Sequence, residues 1–334
     1  MHPIWLPKGE PGLASSISVA MCTFNGERHL AEQLESISAQ SVRPEELVIC
    51  DDGSTDRTQQ MIQEFASRAP FPVYLFINAK NLGSTKNFEQ AISRCRGLIV
   101  ALADQDDIWH PNKLEQIAKI MGSDPVVGVF SDAALIDQNS QPLNIRLWPT
   151  FAFGRLEQKQ FADGNGLQAL INHPVVTGAT MAFRKELFHV IAPIPPGEIH
   201  DRWISLILAA SGRFEMITEP LMEYRRHSRQ QIGPGPSTLR GRMEAARGRG
   251  ETFYREEISR FQQILGRIAS HEHSFPNAKY IQKEIQQKID HLERRAFLPG
   301  KIARSKNIFK EMINGNYWRY SGGCKSILKD LIIR

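Results

Sequence analysis

Short apolar runs alternate with helix-period segments through the first 130 residues of the chain. Ile17–Phe24 is the first run, and it ends in Thr23-Phe24-Asn25-Gly26. Leu30, Leu34 and Ile37 recur at helical spacing, so Glu27–Gln40 reads as a helix that Pro44 closes off. Leu47–Cys50 is a second strand, running into Asp51-Asp52-Gly53-Ser54-Thr55-Asp56. Thr55 is the expected N-cap of a helix reaching Ala69. Val73–Ile77 and Thr85–Cys95 read as the next strand and helix, Leu98–Ala103 as the fourth strand, and Pro111–Met121 as a helix. Val126–Ser131 is a fifth strand closing on Asp132. Leu47–Cys50 and Leu98–Ala103 are continuously apolar, the mark of strands buried on both faces. Strands alternating with helices predict an α/β fold with a doubly wound, mostly parallel sheet.

Beyond Asp132 the pattern changes. Residues 137–165 are polar and broken by Pro142, Pro149 and Gly154, and read as a long loop over the sheet. Pro174–Phe183 is strand-like around Gly178, a residue that permits close approach of a ligand or backbone. Arg184–Ile191 reads as a short helix and 193–197 as a rigid turn. His200-Asp201-Arg202-Trp203 opens an apolar helix, and Phe214–Ile217 with Pro220–Tyr224 forms an extended segment ending in Arg225-Arg226-His227. Gly233–Ser237 is a linker, followed by amphipathic helices. The organisation expected is an arm over 1–15, an α/β domain over 16–233 divided near residue 132 into a nucleotide half and an acceptor half, and a basic helical extension over 234–334.

Composition narrows the class. With 334 residues, 41% hydrophobic and 23% charged, the chain has the makeup of a soluble globular protein. No apolar run approaches the roughly 20 residues of a spanning helix, and the N-terminus lacks a signal-peptide core. Its four cysteines are widely spaced without a CxxC pair, which fits reduced thiols in a cytoplasmic protein. The net charge of +5 favours anionic partners, but no nucleic-acid motif accompanies it, so a nucleic-acid partner is not expected. Residues 301–334 hold eight Lys/Arg against two Asp/Glu, interleaved with Phe309, Trp318, Leu328 and other apolar residues. Such a stretch either lies on the inner face of an anionic membrane or packs as an ordinary helical face.

The candidate chemistry is acidic. Leu98–Ala103 ends in Asp104, Asp106 and Asp107, three carboxylates within four residues and no basic residue between them. Either they cap the following helix, where Pro111 suits the first turn, or they hold a divalent cation. In parallel strands, Thr23/Asn25, Asp51/Asp52, the Asp104 cluster and Asp132 would share the carboxyl rim where ligands of such sheets bind. No GxGxxG or GxxxxGK[ST] occurs, so phosphate would have to be met through a metal. Asp201 is either a helix N-cap or a general base kept ionised by the helix N-terminus.

CTFNGE, VICDDGSTD and ALADQDDIWHPNKL resemble the inverting family-2 glycosyltransferases of the nucleotide-sugar (GT-A, Rossmann-like) fold. NHPVVTGATMAFRKELF, HDRWISLILAASG, EPLMEYRRH and NGNYWRYSGGCKSILKD resemble the rhamnosyltransferase-like branch of bacterial surface-polysaccharide assembly. The resemblance implies that Thr23, Asn25, Glu27, Asp51, Asp52 and Asp104 meet the nucleotide, and that Asp106, Asp107 and His227 face Mg²⁺ or Mn²⁺. It implies Asp201 as catalytic base, and Trp109, Thr177, Gly178, His200, Arg202, Trp203, Arg225 and Arg226 as the lining of the donor and acceptor subsites. The implied reaction is transfer from a nucleotide diphosphate-sugar, dTDP-L-rhamnose first and UDP-hexose or GDP-mannose next, to a lipid-linked glycan such as O-antigen or exopolysaccharide. A non-catalytic nucleotide-sugar-binding module is the other reading. Cys22 stands where many members carry Pro, and the QxxRW motif of processive members is absent, which implies transfer of one or a few sugars.

Overall fold

A computed structural model describes residues 16–122, 125–226, 251–296 and 301–332. The chain divides into two compact units, Met1–Leu147 with Val176–Ile194 and Phe214–Arg229, and Trp148–Val175 with Pro195–Arg213 and Gln230–Arg334. Residues 148–175 and 195–213, expected in the acceptor half, therefore group with the C-terminal helices.

The first unit is built on β1 (Ile17–Thr23), β2 (Glu46–Asp51), β3 (Val73–Ile77), β4 (Ile99–Ala103), β5 (Ile108–Trp109), β6 (Val126–Ile136), β7 (Pro142–Arg146), β8 (Met181–Arg184) and β9 (Arg213–Arg225). Its helices are α1 (Leu30–Ser38), α2 (Thr58–Ala66), α3 (Ser84–Arg94) and α4 (Lys113–Met121). The strand order is β3-β2-β1-β4-β8-β6-β9-β5, with β7 beside β6. The half from β3 to β4 is parallel. Every residue of β2 and β4 is buried, as their unbroken apolar runs predict. Leu30, Leu34 and Ile37 form the buried stripe of α1.

Four local expectations are corrected. Residues 137–165 are not one loop. Asp137 Oδ1 accepts the backbone N–H groups of Asn139 and Gln141, closing a turn that returns the chain as β7, antiparallel to β6. Pro142 is tolerated because β7 lies off the main strand order, paired with β6. Arg155–Ala162 adds a helix, labelled α5. Of Pro174–Phe183, only Met181 onward is strand, antiparallel to β4 and β6, and Gly178–Thr180 is a 3-10 turn. The α2 helix begins at Thr58 rather than after Thr55, because Asp56 Oδ1 accepts the Thr58 N–H at 3.0 Å and its hydroxyl at 2.5 Å. Finally, β6 continues through Asp132 to Ile136, so Asp132 sits inside the strand, where it pairs with Arg146 at 2.7 Å.

In the second unit follow α6 (Gly166–Asn172), α7 (His200–Ser211), α8 (Glu251–Ser270), α9 (Ala278–Ala296), α10 (Lys301–Ile313), α11 (Asn316–Tyr320) and α12 (Cys324–Ile332). The pair α8 and α9 forms its spine through Tyr254, Phe261, Ile264, Ile268, Ile281, Ile285 and Ile289, all buried. Among the described residues, no helix is long and apolar enough to cross a membrane.

Candidate active site

The register of the parallel strands sets the rim. Thr23 pairs with Asp51, and Met21 with Ala103, so the turns after β1, β2 and β4 leave one edge of the sheet together. Val129 of β6 and Ala101 of β4 both lie opposite Ala182, which brings Asp132 level with Asp104.

The first two turns are stitched to each other. The Thr23 hydroxyl, the Ser54 N–H and hydroxyl, and the Gln59 amide all donate to the fully buried Asp51 carboxylate, at 2.5–2.9 Å. Asp52 accepts from the Asn78 side chain and from the Leu82 and Gly83 N–H groups, which fixes the loop entering α3. Asn25, held at φ 47°, accepts the Thr55 N–H, and Glu27 accepts the Arg57 N–H. These predicted nucleotide residues therefore hold the shape of the turns. Gln105, which carries no motif signal in the sequence, clasps the third turn to the first. Its amide accepts the Phe24 N–H at 2.8 Å and donates to the Phe24 carbonyl at 3.2 Å. The Phe24 ring itself is exposed at that edge.

The acidic turn after β4 is not a helix cap. The two residues of β5, paired antiparallel with β9, separate it from α4, whose N-cap is Asn112. Asp104, Asp106 and Asp107 each offer a carboxylate oxygen, all within 4.8 Å of one another. Asp107 is fully buried. Its Oδ1 accepts the Arg225 backbone N–H at 3.0 Å, while its Oδ2 has no hydrogen-bond partner. Burial pushes the Asp107 carboxyl well up, and the Asp106 and Asp104 charges push the same way. A buried carboxylate oxygen without a donor, beside two further carboxylates, is a hard-oxygen set that fits Mg²⁺ or Mn²⁺.

Two buried basic side chains, Arg225 and Lys113, lie near this turn. The Arg225 guanidinium is buried. Its Nε donates to the Asp106 carbonyl at 2.6 Å, Nη1 to the Asp137 carbonyl and Ser140 hydroxyl, and Nη2 to Glu32 at 2.6 Å. The guanidinium expected to line the donor and acceptor subsites is thus engaged with protein oxygens. Lys113, also buried, donates to the Ala179 carbonyl at 2.7 Å and lies 4.0 Å from the Trp109 ring centre. Burial pulls its amine down to about 7. Trp109 is a core residue rather than an exposed platform. Thr177 is buried, and its carbonyl accepts the Thr180 N–H and hydroxyl that close the turn at Gly178. Arg226 is exposed, and its N–H donates to the Ile136 carbonyl. His227 lies outside the described residues.

In the second unit, Asp201 is one residue inside α7, whose N-cap position is Ile199. The N-cap reading of Asp201 is therefore corrected to a first-turn carboxylate, favoured by the helix dipole. His200 Nε2 lies 2.6 Å from its Oδ1. Trp203 is buried, with the Arg267 guanidinium 5.1 Å from its ring. Arg202 forms a bidentate pair with Glu257, both bonds 2.6 Å, tying α7 to α8. Burial pushes Glu257 up, but the Arg202 hydrogen bonds and charge outweigh it and hold the carboxyl at about 2 against its usual 4.5. A depressed acid contributes stability that is fully present above the unfolded value and fades as pH falls through the folded one. Glu257→Gln is expected to cost about 3 kcal/mol at neutral pH, with the deficit shrinking between pH 4.5 and about 2. Denaturant unfolding of both proteins across that window checks it, and a deficit that does not change with pH would contradict the pairing.

Comparison with known proteins adds lineage to this geometry. The family model described as Glycosyl transferase family 2 matches residues 18–191. An uncharacterised glycosyltransferase, alr2836 of Nostoc sp., is 29% identical over 215 residues, which are 63% of this chain and 65% of the relative. The chain thus spans just under two thirds of that protein's length. The Escherichia coli protein WfgD, a UDP-Glc:alpha-D-GlcNAc-diphosphoundecaprenol beta-1,3-glucosyltransferase, is 28% identical over 124 residues, 37% of this chain and 48% of that protein. Among solved structures, S. aureus TarS 1–349 in complex with UDP-GlcNAc superposes with a TM-score of 0.53 at 15% identity, covering 95% of this chain and 90% of TarS. The shared fold is the GT-A-type, Rossmann-like α/β arrangement.

Proposed function

The chain belongs to glycosyl transferase family 2, and we propose that it transfers one sugar, with inversion, from a nucleotide diphosphate-sugar to a hydroxyl of a lipid-linked cell-surface glycan. The observation that carries this reading is the Asp104, Asp106 and Asp107 cluster with its buried, unpartnered Oδ2. Asp106 and Asp107 are the residues we assign to the cation, with Asp104 between it and the ribose. His227 is assigned with them from the sequence alone. When bound, Mg²⁺ or Mn²⁺ neutralises the diphosphate and makes it a competent leaving group. Phe24, Asn25 and the edge formed by Asp51 and Asp52 are assigned to the base and ribose.

Asp201 is the base we assign. It takes the proton of the acceptor hydroxyl as that oxygen attacks the anomeric carbon. The bond from that carbon to the diphosphate oxygen breaks on the opposite face, so the configuration inverts. A carboxylate in the first turn of α7, where the helix dipole favours negative charge, suits this role.

dTDP-L-rhamnose is the donor we assign first, on the C-terminal motifs. UDP-hexose is the second reading, favoured by the UDP-Glc named for WfgD, whose diphosphoundecaprenol acceptor also supports a lipid-linked substrate here. Calorimetric titration of dTDP, UDP and GDP, each with and without Mn²⁺, tests both. One nucleotide is expected to bind only with metal, and Asp106→Asn to weaken that binding at least about tenfold, the worth of one charge-assisted contact. Folded protein that binds none of the three under either condition would sink the proposal.

A further inference from the structure

The last 30 described residues segregate charge and apolar surface in an unusual way. In α10, Ile308 and Glu311 turn inward, while Lys306, Phe309, Lys310 and Ile313 are exposed. Their spacing of three, four and seven residues puts them on one stripe of the helix. In α12, Lys325, Leu328 and Leu331 are exposed and Asp330 is buried. Trp318 of α11 is 50% exposed, its ring resting beside Gly323, where an added Cβ would lie 3.1 Å from it. Of the thirteen large apolar side chains exposed among the described residues, five lie between 305 and 331. That concentration exceeds the scattered exposure of ordinary surfaces.

Both acids of this segment are withdrawn from its surface. Glu311 is buried against His291 at 2.5 Å and Arg294 at 2.7 Å. Asp330 is buried against Arg295 at 2.6 Å and the Tyr317 hydroxyl at 2.8 Å. The exposed charges left are cationic. Lys306, Lys310 and Lys325 have no carboxylate partner among the described residues, and Arg319 shares Glu284. A solvated face would not concentrate Phe, Ile, Trp and Leu, and two copies pairing through this stripe would bring like charges together. Exposed aromatic and aliphatic groups rimmed by lysines, with every acid turned inward, match an anionic lipid interface.

We propose that α10, α11 and α12 form a docking surface for an anionic phospholipid bilayer. Lysines meet the headgroups, while Phe309, Ile313, Trp318, Leu328 and Leu331 enter the boundary of the acyl region. This inference is independent of the donor and metal assignments. It is tested with the full chain and vesicles of phosphatidylcholine, with and without phosphatidylglycerol. Sedimentation is expected to bring protein down with the anionic vesicles and not the neutral ones, less so at high salt. Trp318 emission is expected to shift to the blue and to be quenched by brominated lipid, a signal that Trp318→Phe removes. Lys306→Glu with Lys310→Glu is expected to lower partitioning on the order of tenfold or more. Phe309→Ser is expected to weaken it separately, with circular dichroism unchanged in each case. Equal partitioning to neutral and anionic vesicles overturns the proposal. So does a charge-reversed protein that binds as before, or a concentration-dependent dimer that shifts Trp318 emission without lipid.

Discussion

Asp201→Asn is expected to lower sugar transfer by about 10²–10⁴-fold, the usual contribution of a positioned base, while nucleotide binding stays unchanged. Asparagine keeps the shape of the side chain and its place in the first turn of α7 but has no basic lone pair at neutral pH. The loss of charge near the helix N-terminus removes about 0.3–1 kcal/mol of stability, so the variant stays folded. That separation makes the measurement decisive. Turnover is followed with donor and a lipid-linked acceptor, donor affinity by calorimetry, and folding by thermal melting. A purely structural Asp201 would lower the melting temperature and leave the rate of the folded fraction intact. A base would lower the rate of the folded fraction with no more than that small loss of stability, and would also flatten the acidic limb of the rate against pH. His200 lies 2.6 Å from the Asp201 carboxylate, so His200→Ala is expected to fall between the two, through loss of orientation rather than of the base itself.

The parallel half of the sheet and its acidic edge are legible in the sequence because they depend on near neighbours. An apolar run such as Leu98–Ala103 states its own burial, and the carboxylates after it state where burial stops. Helix caps are less legible. Thr55 and Asp56 are both good cap residues, yet Arg57 takes the N-cap position of α2, because Asp56 closes the turn before it by accepting the Thr58 N–H and, from another turn, the Glu27 N–H. The hairpin over 137–146 was hidden because β7 is exposed along its length, and its short alternation of Leu143 and Ile145 sits in a polar stretch opened by Pro142. The groups that stabilise the acidic turn were hidden for another reason. Gln105 reaches Phe24 81 positions away, and Arg225 reaches Asp106 119 positions away. No local pattern encodes such pairings. The one available signal was chemical: three carboxylates in four residues need positive charge near them, and Lys113 and the Arg225-Arg226 pair were among the cations at the ends of predicted elements. Arg202 and Glu257 repeat the lesson, since the HDRW motif drew attention to substrate while the bidentate partner lay 55 residues on.

Arg225→Met is expected to destabilise the protein by about 3 kcal/mol and to weaken Mn²⁺ binding by tenfold or more, an estimate built from charge-assisted bonds lost in a buried place. Methionine fills the volume but leaves the Asp106 and Asp137 carbonyls and the Ser140 hydroxyl without their donor. The bond from the Arg225 N–H to Asp107 belongs to the backbone and survives the substitution. The metal effect is therefore transmitted through Asp106, whose main chain is no longer pinned, and the loss of affinity measures that pinning. Glu32→Gln is the milder control. Glu32 is nearly half exposed, so its bond to Arg225 is screened by solvent, and its loss is expected to cost well under half as much while leaving Mn²⁺ affinity close to normal. Arg225→Lys restores charge but not reach, because one ammonium cannot span four oxygens on three segments, and partial recovery of stability without full metal affinity is expected. Denaturant unfolding and paramagnetic titration of Mn²⁺ read the two effects separately. A destabilised Arg225→Met protein that binds Mn²⁺ as tightly as the parent would reduce Arg225 to a packing residue and leave the order of the acidic turn to Gln105, the Asp107 tether and the Gln33 amide, which donates to the Asp104 carbonyl at 2.9 Å.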